Sequence, residues 1–162
     1  SEAWAIFMVD ERYVPHDHPD SNFGAVKKAF ITYGLSKCKI VPIDTSLPLV
    51  DAAMAYGALL PSEGLDCVIF GMGSDGHIAS LFPGMFQVSA EDPCISLTDS
   101  PKPPPERISL SLSYLRKCAA YVFMITGADK RLAEKRALEG DPSLPSSHLD
   151  LSRSKWFLDQ EP

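Results

Sequence analysis

Short apolar runs recur along the chain, cut by glycine, proline and charge, and their lengths and periods predict alternating strands and helices. Ala3 to Val9 is near-continuously apolar and ends on Asp10-Glu11-Arg12, which predicts a buried strand delivering charge at its carboxyl end. Pro15 to Pro19 excludes a helix, after which Asp20 or Ser21 can cap one carrying Phe23, Val26, Phe30 and Tyr33 and stopping at Gly34. Cys38 to Ile43 reads as a short strand. Pro48 to Leu60 reads as a helix with Leu49, Ala52, Ala53, Tyr56 and Leu59 facing inward.

Leu65 to Phe70 has Asp66 as its one charge, and Val68, Ile69 and Phe70 suit a parallel strand covered on both faces. Gly71, Gly73 and Gly76 follow, then a short helix that Pro83-Gly84 must end. Cys94 to Thr98 predicts another strand, and Pro101 to Pro105 a rigid extended connection. Arg107 to Ser113 alternates strictly, as a strand with one apolar face does. Ala119 to Thr126 is a further buried strand closed by Gly127, Ala128 to Leu138 a helix ended by Gly140, and Lys155 to Leu158 an edge or final strand. Strands alternating with helices, without an internal repeat, imply one α/β domain over residues 1–162 with a parallel or mixed sheet.

Composition narrows the function classes. The net charge is −6, with lysine and arginine scattered rather than striped, which argues against nucleic acid but leaves room for a small anionic substrate. No apolar run reaches the ~20 residues that cross a bilayer. The four cysteines, Cys38, Cys67, Cys94 and Cys118, lack the close pairs of a zinc site or small disulfide framework. They read as reduced thiols of a cytoplasmic protein.

The chemistry concentrates in the glycine loop. Three missing Cβ atoms within six residues let the backbone turn sharply and let a ligand approach its N–H groups, while Asp75 and His77 supply the polar side chains. Such a loop sits at the carboxyl end of a strand, where open α/β sheets bind ligands. Gly71 to Gly76 also satisfies G-x-G-x-x-G, yet Pro83-Gly84 truncates the helix that dinucleotide binding requires, and no acid-ended strand follows at the right distance. His16 and His18, with Asp17 and Asp20, form a solvated loop rather than a metal site, since no further ligand cluster supports one. Ser74 and Ser80 lack the elbow that activates a serine, and His148 reads as structural.

The longer string G-M-G-S-D-G-H-I-A-S-L-F-P-G resembles the signature of the glucosamine-6-phosphate isomerase/6-phosphogluconolactonase superfamily. Its A-S-L-F-P-G half is similar to the 6-phosphogluconolactonase family; the isomerase/deaminase branch usually reads A-F-N-E-P-G there. V-D-E-R at Val9 to Arg12, D-S-N at Asp20 to Asn22, P-K-P-P-P-E-R-I-S-L-S-L at Pro101 to Leu112, T-G-A-D-K at Thr126 to Lys130 and W-F-L-D at Trp156 to Asp159 fit the same family, in its order.

The resemblance implies a Rossmann-like three-layer αβα fold with a mostly parallel sheet. It also implies hydrolysis of a sugar-phosphate lactone, 6-phospho-D-glucono-1,5-lactone, without cofactor or metal. His77 would activate water. Asp75 would orient His77 or bind a substrate hydroxyl, or else bond the loop's own N–H groups. Gly73 and Gly76 would approach the substrate, and Arg12, Arg107 and Lys130 are its candidate phosphate or oxyanion cations. The competing roles are loop capping for His77, pairing with Asp10 or Glu11 for Arg12, and solvated surface charge for Arg107 and Lys130. Family members usually begin with a helix and strand leading to a Gly-Gly-Ser-Thr type loop. None precedes Ser1, so the chain is expected to be truncated at its N-terminus, with a fused or neighbouring domain supplying that part. Isomerisation with deamination, and a non-catalytic binding or packing role, remain the alternatives.

Overall fold

The computed structural model describes residues 4–34 and 38–159, so the expected strand start at Ala3 lies outside the described residues. In chain order the elements are β1 (Ala5–Phe7), β2 (Asp10–Arg12), α1 (Asn22–Thr32), β3 (Lys39–Val41), α2 (Leu49–Gly57) and β4 (Val68–Phe70). They continue with β5 (Cys94–Leu97), β6 (Arg107–Leu110), α3 (Leu112–Leu115), β7 (Tyr121–Ile125), α4 (Arg131–Leu138) and β8 (Ser154–Leu158). The chain divides into two compact units, Ser1–Leu60 with Cys94–Ser109, and Pro61–Pro93 with Leu110–Pro162.

In the first unit β1 and β3 pair in parallel, with Ile6 opposite Ile40. The predicted single strand from residue 3 to 9 breaks at Met8-Val9. Asp10–Arg12 is a strand of its own, antiparallel to β6, with Arg12 directly opposite Arg107. Ser21 caps α1, its side chain accepting from the Gly24 N–H. Ala52, Ala53 and Tyr56 face inward from α2 as expected, whereas Leu59 is exposed and Leu60 takes the buried place, because the helix has already ended at Gly57.

The second unit is built on a parallel sheet in the order β4-β7-β8. One face carries Val68, Phe70, Tyr121, Phe123 and Ile125, all buried, with Trp156 stacked on Phe123 at a ring separation of 4.1 Å. The other face is open: Ile69, Met124 and Phe157 are 60%, 56% and 57% exposed. The expectation of a strand covered on both faces is therefore corrected for β4.

Two further expectations change. The alternating strand from Arg107 stops at Leu110, because the Ser111 hydroxyl accepts from the Tyr114 N–H and starts α3. No helix follows the glycine loop. Ile78 and Leu81 instead bridge across a tight turn in which Ala79 takes φ 50°, a geometry that an α-helix forbids. With parallel strands and helices in both units, the fold is mixed α/β, the class expected.

Candidate active site

β4 ends at Phe70 in register with Phe123 of β7, so the segments that leave the two strands emerge at the same edge of one parallel sheet. The first of these is the glycine loop. Inside it the Gly73 N–H donates to the His77 carbonyl and the Gly76 N–H to the Gly73 carbonyl, both at 2.9 Å. These two donors are engaged within the loop itself.

Their role here is steric. A Cβ on Gly73 would lie 2.1 Å from His77 Nδ1 and 2.5 Å from Asp75 Oδ1. Gly76, at φ 88°, packs so closely on Leu144 that a Cβ would sit 2.6 Å from Leu144 Cδ2. Glycine at both places lets the loop close around the histidine.

The closed loop brings Asp75 and His77 together. Asp75 Oδ1 accepts from the His77 N–H at 3.3 Å and lies 2.5 Å from Nδ1. A carboxylate only accepts, so Nδ1 carries the proton, and in the neutral imidazole Nε2 then keeps its lone pair. The Phe82 ring covers the imidazole at 4.6 Å between centroids. Sequence reasoning missed Phe82, because the helix expected there would have put residues five apart on different faces.

Lys130 lies in the segment after β7, in the 3-10 turn Ala128–Lys130 that Gly127 opens at φ 104°. The Gly127 N–H is held by the Asp159 carboxylate. The Lys130 side chain is half-buried and has no hydrogen bond or ion pair among the described residues.

The arginines belong to the first unit. Glu11 is fully buried and takes the Asn22 and Phe23 N–H groups at 2.7 Å, the Ser21 hydroxyl and the Arg12 N–H. It is thus an anionic cap on α1, placed where the helix dipole favours negative charge. Arg12 donates Nη1 to the Asp20 carbonyl at 2.7 Å, while its buried Nε has no acceptor. Arg107 spends Nε on the Pro104 carbonyl and Nη2 on those of Lys102 and Pro103. Burial, and then the neighbouring Arg12 guanidinium, pull Arg107 below its ordinary pKa. Arg107 is buried and clamps the proline loop, so its reading as a solvated surface charge is corrected.

Among the described residues no cluster of histidine, cysteine, aspartate or glutamate can hold a metal. The His16 ring lies 2.7 Å from the Ile43 carbonyl and packs on Phe23.

A family model described as glucosamine-6-phosphate isomerases/6-phosphogluconolactonase matches residues 1–158. The 6-phosphogluconolactonase of Rattus norvegicus is 36% identical over 97% of this chain and 66% of its own length. A probable 6-phosphogluconolactonase of Drosophila melanogaster is 35% identical over 96% of this chain and 67% of its own. The solved 6-phosphogluconolactonase of Thermotoga maritima superposes with a TM-score of 0.78 at 27% identity, over 94% of this chain and 71% of that one. The chain spans about two thirds of the length of the curated relatives it matches.

Proposed function

The chain belongs to the glucosamine-6-phosphate isomerase/6-phosphogluconolactonase family, and from that membership we propose that it hydrolyses 6-phospho-D-glucono-1,5-lactone to 6-phospho-D-gluconate with His77 as general base. The observation that carries this reading is the Asp75–His77 pair, which leaves Nε2 able to take a proton from water. The hydroxide so formed attacks the lactone carbonyl. The tetrahedral oxyanion collapses, the ring C–O bond breaks, and the His77 imidazolium returns its proton to the leaving ring oxygen. Asp75 holds the tautomer and stabilises the imidazolium.

Lys130, unpaired in the segment after β7, is the cation we assign to the substrate's negative charge in that unit. In the other unit the acceptor-less Nε of Arg12 supports a phosphate-binding role. That residues 1–162 form one domain is part of the same proposal; the chain passes between the two units at 60/61, 93/94 and 109/110, which supports it. The longer relatives support a further segment or domain, fused or separate, that completes the substrate site. Four unpaired cysteines support a cytoplasmic location, and among the described residues no helix is long and apolar enough to cross a membrane.

The test offers two substrates to the protein. Proton release from fresh 6-phosphogluconolactone above the spontaneous rate, without ammonia release from glucosamine 6-phosphate, is the expected result. Ammonia release would transfer the assignment to the isomerase branch, and tight 6-phosphogluconate binding without turnover would make the chain a non-catalytic binder.

A further inference from the structure

The turn that replaces the expected helix places an aromatic ring against His77. Ile78 and Leu81 bridge, the Leu81 N–H donates to the Ile78 carbonyl at 2.9 Å, and between them Ala79 is the one non-glycine residue at positive φ among the described residues. The chain thereby reverses within four residues and brings Phe82 back over the imidazole. From the other side the Met85 and Phe86 N–H groups both donate to the Phe82 carbonyl, at 3.0 and 3.2 Å, so the backbone of Phe82 is fixed before and after the residue. The ring itself is 2% exposed and tilted 37° to the imidazole. Gly73 closes the Nδ1–Cε1 side and Asp75 holds Nδ1, which leaves Nε2 as the nitrogen without a protein partner among the described residues.

We propose that Phe82 is a positioning residue for His77: its ring blocks rotation of the imidazole away from Asp75 and so keeps Nε2 presented as the base. The proposal rests on the lactonase reading for its kinetic consequence and on geometry alone for its structural one. A tilted ring pair at this separation is attractive beyond the area it buries. Its loss frees the imidazole to turn over and to populate both neutral tautomers, one of which has no lone pair on Nε2. The base is then present in the protein but misplaced for part of the time.

Phe82→Leu and Phe82→Tyr test this, the first removing the aromatic face and the second keeping it. Ring-nitrogen NMR on His77 should show a single Nδ1–H tautomer in the wild type and in Phe82→Tyr, and a mixture in Phe82→Leu. With the lactone, Phe82→Leu should lose at least ~10-fold in kcat while KM stays within about twofold, and Phe82→Tyr should restore kcat. A Phe82→Leu protein that keeps the single tautomer and the wild-type kcat overturns the proposal, as does one whose kcat falls only in proportion to its folded fraction. Should the wild type not hydrolyse the lactone at all, the functional reading falls, and the tautomer comparison still decides the role of Phe82.

Discussion

Asp75 Oδ1 lies 2.5 Å from Nδ1 of His77, and the same oxygen accepts the His77 backbone N–H. One carboxylate therefore fixes both the ring and the backbone of the residue it orients. Replacing Asp75 by Asn keeps the shape but offers an NH₂ group that can donate to Nδ1, which favours the tautomer with the proton on Nε2. We expect kcat on the lactone to fall about 10²–10³-fold with a smaller change in KM. Steady-state kinetics of Asp75→Asn would check it; an unchanged kcat would reduce Asp75 to a loop staple.

Gly73→Ala tests the loop from its steric side. A methyl group 2.1 Å from Nδ1 cannot be accommodated without moving the imidazole. Activity should drop by roughly 10²-fold while the protein stays folded, because the clash falls on a side chain in a surface loop rather than on the core. Kinetics alongside a melting curve separate the two effects.

Three charged residues of the first unit, Glu11, Arg12 and Arg107, should divide stability from binding. Glu11→Ala leaves helix and hydroxyl donors unsatisfied in a buried place, and urea unfolding should show a loss of about 2–3 kcal/mol. Arg107→Ala should likewise act on stability, through the carbonyls it releases at Lys102, Pro103 and Pro104. Arg12→Ala should instead raise KM for the lactone by about 10-fold, the cost of one charge-assisted contact. An Arg12→Ala protein with wild-type KM would remove Arg12 from substrate binding.

The sequence carried the loop and its chemistry well, and the reasons are physical. An apolar strand, three glycines and a histidine leave few ways to fold, so the placement of Asp75 and His77 at the end of β4 was readable from residue type alone. The partners of Arg107 were not, since backbone carbonyls carry no sequence signal; neither was the turn at Ala79, where local pattern favoured a helix and the chain adopts a left-handed residue. Ser111 shows the same competition in miniature. Alternation favoured continuing the strand, and one side-chain bond to the Tyr114 N–H ended it.

Thiol reactivity should separate the cysteines by burial. Cys67 is exposed and should be alkylated first, while burial pushes the Cys94 thiol up to about 12 and also raises Cys118. At pH 8, mass spectrometry after brief iodoacetamide treatment should find Cys67 modified and Cys94 and Cys118 protected. Because folding raises the Cys94 pKa from 9.0, its neutral thiol contributes stability that is present below pH 9 and lost as pH rises toward about 12. Rapid labelling of Cys94 in the native protein would contradict its burial.

The most direct test of the central claim is the rate of proton release from fresh 6-phosphogluconolactone by the wild type and by His77→Ala, corrected for spontaneous hydrolysis. If His77 is the base, the variant should lose about 10²–10⁴-fold in kcat while remaining folded. Equal acceleration by the two proteins would contradict it.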